Sequence, residues 1–546
     1  MPSRSTLLRI APLLGLTIAI PALALDCHPR TSPMSPGDIA MSHADYARAE
    51  SLYADEIRAS QSANPPGSDA DRAHAALIRA QLRQSKLADA EQNAVAWSTA
   101  QPDNSWALIA LAELRWRQGR TDDAIQTLDR VRTIDYCNAQ AHADLATVYR
   151  MRGLYASASR ELSTARHLDP IDDDIESDWM RLQPRSVQLA EVTQYLDRST
   201  FLSADERKSL TRWKDRLSQP PASGCHLVTS TASTSIPFRG IQDGPEAHTY
   251  WGLEVSFNGK QRRLEIDTGA SGLILNKAAA AALHLEREET FKSGGIGDEG
   301  DVDSYVANVE SIKIGALEFQ DCDVQVLSKG ADDGDGLIGG DVFSQFLLTL
   351  DFPGRTLKLD PLPARPDDAA NKTTLSLNTG VSASDNAPED AYRDPSMKNW
   401  SGVWSSGHNL IIPVRLNEKG PWKLFIIDTG ASLNLISPAA AREVGKVSKG
   451  ADIDVSGISG KVNKEYTTAP MKLYFGGLVA PNSGMVALDT SRFSRDTGVE
   501  ISGFIGAPTL HQLTVSIDYR DNLLHFTYDP SRLTRCVDGI KMADCY

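Results

Sequence analysis

The sequence predicts a multidomain chain in which an all-α helical repeat is followed by two copies of one all-β unit. Three observations predict it. An interval of 34 residues recurs through the first third of the chain. Past residue 240 the sequence changes to short β-branched and aromatic runs separated by Gly, Asn and Asp turns. Within those runs one eight-residue pattern occurs twice. The 546 residues have room for about three or four units of ordinary domain size. With 41% hydrophobic and 23% charged residues, the chain holds enough apolar surface to build packed cores. The balance of 56 Lys and Arg against 71 Asp and Glu leaves a net charge of −15, which repels phosphate backbones and argues against a nucleic-acid partner.

Residues 1–24 read as a cleavable signal peptide, because Arg4 and Arg9 precede the apolar run Ile10 to Ile20 and the small-residue motif Ala22-Leu23-Ala24. Pro12 interrupts that run and Pro21 closes it, short of the ~20 residues a spanning helix needs. Leu25 and Asp26 before Cys27 are not the small residues of a lipidation site. The expected location is the periplasm or the exterior, without stable membrane insertion after cleavage. The six cysteines form an even set without metal-type spacing. Disulfides and free buried thiols both remain open, and Cys536 with Cys545 is the one pairing the sequence suggests.

Residues 40–217 carry the helical repeat. Ala90, Ala124 and Ala158 are spaced by 34, as are Gly119 and Gly153, Ala112 and Ala146, and Asp135 and Asp169, while Pro102 and Pro170 stand two intervals apart. Small residues at fixed places let paired helices approach, and the glycines supply turns between them. This pattern resembles the tetratricopeptide repeat, with repeats at Ala73 to Pro102, Trp106 to Tyr136 and Gln140 to Pro170, and with 42–61 and 186–217 capping the stack. The resemblance implies a concave surface that holds a peptide or protein partner. Trp106, Trp116 and Tyr149 read as packing residues. A Pro- and Ser-rich linker, 218–244, follows.

The β region contains the duplication. Leu264-Glu265-Ile266-Asp267-Thr268-Gly269-Ala270-Ser271 answers Phe425-Ile426-Ile427-Asp428-Thr429-Gly430-Ala431-Ser432. Downstream, Leu337-Ile338-Gly339 answers Phe504-Ile505-Gly506, and Asp351-Phe352 answers Asp518-Tyr519. The copies are offset by 161 at the first landmark and by 167 at the others. Two carboxyls about 3 Å apart that share one proton can activate water against a peptide carbonyl. One takes a proton from the water and the other gives one to the carbonyl oxygen. Each copy supplies one such acid. Gly269 and Gly430 let the two loops approach, Thr268 and Thr429 offer hydroxyls to lock them together, and Ser271 and Ser432 offer hydroxyls to the outer carboxylate oxygens.

This arrangement resembles the retropepsin-like aspartic proteases over residues 245–362 and 406–530. The resemblance implies two β lobes forming an internal pseudo-dimer, a catalytic pair Asp267 and Asp428, a peptide or protein substrate, and a water nucleophile with no metal or organic cofactor. It also implies glycine-bearing flaps over the site. The corresponding segments are Ser293-Gly294-Gly295-Ile296-Gly297 and Ser456-Gly457-Ile458-Ser459-Gly460, with Gly294, Gly295, Gly297, Gly457 and Gly460 as flap candidates and plain hairpin tips as the alternative. The acidic stretch Asp298-Glu299-Gly300-Asp301 departs from what a flap above carboxylates would favour. Asp351 and Asp518 are expected to be structural, and His511 a helix-surface residue. Residues 363–405 read as a polar linker with little structure of its own, and 531–546 as a tail.

The expected function is an exported aspartic endopeptidase whose helical repeat recruits substrates or partners. The alternative is an inactive peptide-binding scaffold built from the same parts. A further arrangement would pair each lobe with its equivalent in a second chain.

Overall fold

The computed structural model describes residues 27–61, 69–218, 225–229, 233–242, 249–330, 334–366, 389–450 and 455–532. Residues 1–24, read above as a signal peptide, and the suggested Cys536–Cys545 pairing lie outside them. Among the described residues no helix is long and apolar enough to cross a membrane.

From Pro36–Ser42 to Ala204–Ser218 the chain is a helical array. Its period has a packing cause, since Ala90, Ala124 and Ala158 are each fully buried where neighbouring helices cross. Gly119 and Gly153 take the left-handed turn between paired helices, with φ of 73° and 74°. The same interval governs the caps. Asn104, Asn138 and Asp172 each accept backbone N–H groups that open the helices Ser105–Arg117, Ala139–Met151 and Asp173–Arg181. A disulfide from Cys27 to Cys137 ties the amino-terminal segment to this array, and a second joins Cys225 to Cys322 in the first β lobe. Among the described residues no cysteine is free, so the thiol alternative is corrected.

Each β copy builds its own sheet, nine-stranded in lobe 1 and ten-stranded in lobe 2. A third sheet of six strands takes members from both lobes. Its central pairing is antiparallel, Phe346–Asp351 against Leu513–Asp518, with Thr349 opposite Ser516. These two residues are equivalents at the 167-residue offset, and their hydroxyls lie 3.0 Å apart. The pseudo-twofold axis therefore passes between them. One apolar core runs through both lobes, including Leu348, Leu350, Val515 and Ile517 from this shared sheet.

The array packs on lobe 2. Leu128, Leu145, Val148 and Met151 share an apolar cluster with Trp404, Leu424, Ile426 and Phe504. Trp116 meets Trp404 edge to face at 5.3 Å, and the Arg152 guanidinium lies 4.4 Å from the Trp404 ring centre. Arg117 Nη1 donates to Ser494 O at 2.7 Å, and Glu500 N donates to Arg117 O at 2.9 Å. The 363–405 linker is not structureless throughout. Ser157 donates its N–H and hydroxyl to the Asp390 carboxylate at 2.8 and 2.7 Å, and Ser401–Gly402 pairs with the strand Leu523–Tyr528. Its polar side chains order the segment because they find partners on two modules at once. Between the array and the helix Ser491–Thr497 lies a cavity of about 570 Å³, lined by Arg79, Asp144, Asp172, Asp174 and Arg495 among others.

Candidate active site

The two Asp-Thr-Gly turns follow the strands Lys260–Ile266 and Trp422–Ile427, each buried over its last residues. In lobe 1 that strand runs parallel to Gly336–Ile338, and in lobe 2 to Ile501–Ile505. Asp267 N donates to Ile338 O, and Asp428 N donates to Ile505 O, each at 3.0 Å. The distant apolar-apolar-Gly landmarks are thus the strands on which the turns rest.

The turns meet across the axis. Thr268 N donates to Thr429 Oγ1 at 3.0 Å and Thr429 N to Thr268 Oγ1 at 3.1 Å. Each hydroxyl in turn donates to the opposite strand end, Thr268 Oγ1 to Ile427 O at 2.8 Å and Thr429 Oγ1 to Ile266 O at 2.7 Å. Both threonines are buried, so these four reciprocal bonds are shielded from water. The glycines are forced by proximity. A Cβ on Gly430 would stand 2.5 Å from Asp267 Cγ, and one on Gly269 would stand 2.8 Å from Asp428 Cγ.

Asp267 and Asp428 are brought together, each carboxyl lying against the glycine of the opposite turn and each acting on the other's proton affinity. Gly269 N donates to Asp267 Oδ1 at 2.7 Å, while Gly430 N and Ala431 N donate to Asp428 Oδ1 at 3.1 and 3.0 Å. Burial raises the pKa of both. For Asp428 the neighbouring Asp267 charge adds to burial and drives it well above the ordinary carboxyl range. Two acids this close hold one proton between them, since like charges in contact cannot both ionise.

The serines do not take the places the sequence suggested. Ser271 Oγ donates to Asp341 Oδ2 at 2.7 Å rather than to Asp267. Gly272 N donates to Asp341 Oδ1 at 2.9 Å, so this carboxylate grips the far side of the turn and draws the serine away. Ser432 has no comparable carboxylate, because Pro508 stands where lobe 1 has Asp341, and it makes no side-chain hydrogen bond among the described residues. In lobe 2 Asn434 supports the turn, accepting from Gly506 N at 2.9 Å and donating to Asn482 Oδ1 and Thr509 Oγ1 at 2.7 and 2.9 Å. His408 also borders the site, its Nε2 lying 2.8 Å from Gly269 O. Asp341, Asn434 and His408 escaped sequence reasoning. The readable signal for the first was the mismatch of Gly339-Gly340-Asp341 with Gly506-Ala507-Pro508.

The flap candidates face each other above the turns. Ser459 N donates to Ile296 O at 3.0 Å, Glu299 N to Ser459 O at 2.8 Å, and Gly295 N to Ser459 Oγ at 3.0 Å. Gly297 and Gly457 lie where these segments cross, and a Cβ on either would come within 2.4 and 2.7 Å of the other segment's backbone. Gly460, at φ 82°, turns the second hairpin, and Gly294 lies against Arg492. Ile458 packs against Ala270, Ile274 and Leu337 of lobe 1, while Ile296 packs against the lobe 2 cluster. The acidic stretch after the first segment is neutralised locally. Arg492 Nη2 pairs with Asp301 at 2.6 Å, Lys329 with Glu299 at 2.9 Å, and Asn463 N donates to Asp298 Oδ2 at 2.7 Å.

Asp351 and Asp518 lie in the shared sheet, where Asp351 accepts from Gly354 N, Thr514 Oγ1 and Arg532, and Asp518 accepts from Asp521 N. His511 is not a surface residue. It follows the short helix Ala507–Leu510, its ring lies 4.5 Å from Phe352, and burial pushes its pKa down to about 4.

Comparison with known proteins bears on each lobe separately. Residues 253–345 match the family described as "gag-polyprotein putative aspartyl protease", and residues 412–509 match the family described as "Aspartyl protease". The chain thus carries two segments in tandem that are similar to aspartyl proteases. Among solved structures, the aspartic proteinase from Irpex lacteus is similar at 13% identity over 55% of this chain and 98% of that chain, with a TM-score of 0.33. No curated protein matches the chain.

Proposed function

We propose that this chain is a two-lobed aspartic endopeptidase of the retropepsin-like kind, acting through Asp267 and Asp428. The observation that carries this reading is that the reciprocal threonine bonds hold each buried carboxyl against the opposite Asp-Thr-Gly turn. With one proton on the pair, the ionised member takes a proton from water while the protonated member gives its own to the carbonyl oxygen of a peptide. Both acids come from one chain, which favours the internal pseudo-dimer over pairing between chains. The crossed segments 293–300 and 456–461 act as flaps that must part to admit an extended substrate.

The helical array, which we take as tetratricopeptide-like, recruits a protein partner or substrate at the cavity it forms with lobe 2. Export through the amino-terminal segment is part of the same reading, and the two disulfides suit an oxidising compartment. The test is to incubate the full chain with an unfolded protein between about pH 3 and 8, beside Asp267→Asn and Asp428→Asn. Cleavage by the wild type and near-complete loss in both variants is expected. Equal activity in either variant rejects the shared pair, and binding without cleavage by the wild type favours the scaffold. Asp178 lines that cavity and pairs with Arg150 there. Recruitment is tested separately with Asp178→Ser in the full chain, because deleting the array would strip the buried Trp404.

A further inference from the structure

The two turns are related by the pseudo-twofold axis at their centre but are supported by different chemistry. Lobe 2 uses the neutral amide of Asn434. Lobe 1 uses a carboxylate, Asp341, whose two oxygens accept from Ser271 Oγ and Gly272 N in the same turn that carries Asp267. Asp341 opens the single helical turn Gly340–Phe343, directly after the strand on which Asp267 rests. From the other lobe His408, in the loop between Trp404–Ser406 and Asn409–Leu416, donates from Nε2 to Gly269 O of the same turn. One short turn is therefore held from one lobe by an acid and from the other by an imidazole.

We propose that Asp341 is a positioning residue for the Asp267 carboxyl and that His408 sets the charge balance of both acids, giving lobe 1 an ionisation that lobe 2 lacks. The inference rests on the peptidase reading for its effect on turnover. As an anion, Asp341 accepts both donors and fixes the turn. Protonated, it carries a hydrogen of its own toward a cluster that already supplies donors, and one bond is lost. The groups facing Asp341 are Ser271 and Gly272 on the turn that carries Asp267, His408 from lobe 2, and Tyr519 beyond the strand Leu513–Asp518, whose hydroxyl senses both Asp341 and Asp267. The Tyr519 hydroxyl abuts Gly340, where a Cβ would lie 2.2 Å from it, and it has no hydrogen-bond partner among the described residues. Burial raises Asp341, and the His408 charge works against that rise at both Asp341 and Asp267.

The signs of the two substitutions are opposite. Asp341→Asn removes a negative charge beside Asp267, which makes the pair easier to ionise and moves the acid limb of kcat/KM to lower pH. His408→Gln keeps a donor for Gly269 O but removes the positive charge, which moves that limb to higher pH. Each shift should be about one pH unit. Asp341→Asn should also make the limb shallower and lower its plateau by roughly tenfold, since one donor loses its acceptor. The experiment measures kcat/KM against pH on an unfolded protein for wild type and both variants. Beside it, ¹³C-carboxyl titration of Asp-labelled full chain follows Asp341, its resonance identified by its absence in Asp341→Asn. Opposite limb shifts, with an upward shift of the Asp341 titration in His408→Gln, support the proposal. Limbs that stay in place while kcat/KM falls by a pH-independent factor overturn it, as does an Asp341 titration indifferent to His408→Gln. If the wild type cleaves nothing while the Asp341 titration still follows residue 408, the charge linkage stands and the peptidase reading fails.

Discussion

Lobe 1 and lobe 2 are one sequence unit used twice, and they match at the axis while diverging away from it. Thr268 and Thr429 exchange the same two bonds, and Thr349 faces its own equivalent, Ser516. A few residues further out the copies part. Asp341 supports one turn and Asn434 the other. Lobe 2 buries Trp404 and Leu424 against the helical array, and lobe 1 is stapled by Cys225–Cys322 instead. Duplicated halves stay alike where each residue's partner is its own twin, because a change on one side must be matched on the other. Elsewhere each copy answers only to its neighbours.

The largest expected effect probes the shared centre. Asp267→Asn and Asp428→Asn should each lower turnover of an unfolded protein by ~10²- to 10⁴-fold, as removal of a general acid or base does. The two losses should agree, and a tolerated substitution on one side would show that the halves are not chemically equivalent. Trp404→Ala probes the feature that only lobe 2 has. Trp404 is buried between Trp116 and Arg152, so its loss should cost about 3 kcal/mol of stability, read by denaturant unfolding of the full chain. A cost under about 1 kcal/mol would mean the array contributes little to lobe 2. Thr268→Val and Thr429→Val return to the axis. Each leaves a buried N–H and a carbonyl without their partner, at a cost of about 1 to 3 kcal/mol. The twofold-related bonds predict equal costs, and a clear inequality would break the symmetry argument.

The sequence made the symmetric parts legible and hid the asymmetric ones. The 34-residue interval showed in Ala90, Ala124 and Ala158 because a crossing helix excludes anything larger. The paired Asp-Thr-Gly turns showed because Gly269 and Gly430 have no room for a Cβ. A repeated steric demand leaves a repeated residue. Asp341 and His408 left no such trace, since a partner chosen by one lobe alone occurs once. Ser271 was misread for the same reason, as its Ala-Ser neighbourhood is duplicated but the carboxylate that captures it is not. The disulfides joining Cys27 to Cys137 and Cys225 to Cys322 span 110 and 97 residues, and separations that long carry no local pattern. The acidic stretch 298–301 looked like a conflict because its partners, Arg492 and Asn463, lie in the other lobe.

That stretch gives the smallest and most diagnostic prediction. Arg492 stands on the lobe 2 helix Ser491–Thr497, pairs with Asp301 beyond the first flap, and donates from Nη1 to Ser459 Oγ of the second at 3.2 Å. It is an asymmetric latch, since one lobe supplies a single cation that touches the second flap and the acidic stretch after the first. Both partners are about a third to a half exposed, at 33% and 47%, so solvent screens the pair and its worth is under ~1 kcal/mol. Arg492→Ala should therefore raise the opening equilibrium by about two- to fivefold. Amide hydrogen exchange reads this at Ser459 and Glu299, whose N–H groups bond across the flaps. In 1 M salt, where the screening length falls to about 3 Å, wild type should approach the variant. If exchange at these amides is unchanged in Arg492→Ala, the flaps are held by Ile296, Ile458 and the remaining bonds between the two segments, and the Arg492 latch contributes nothing to closure.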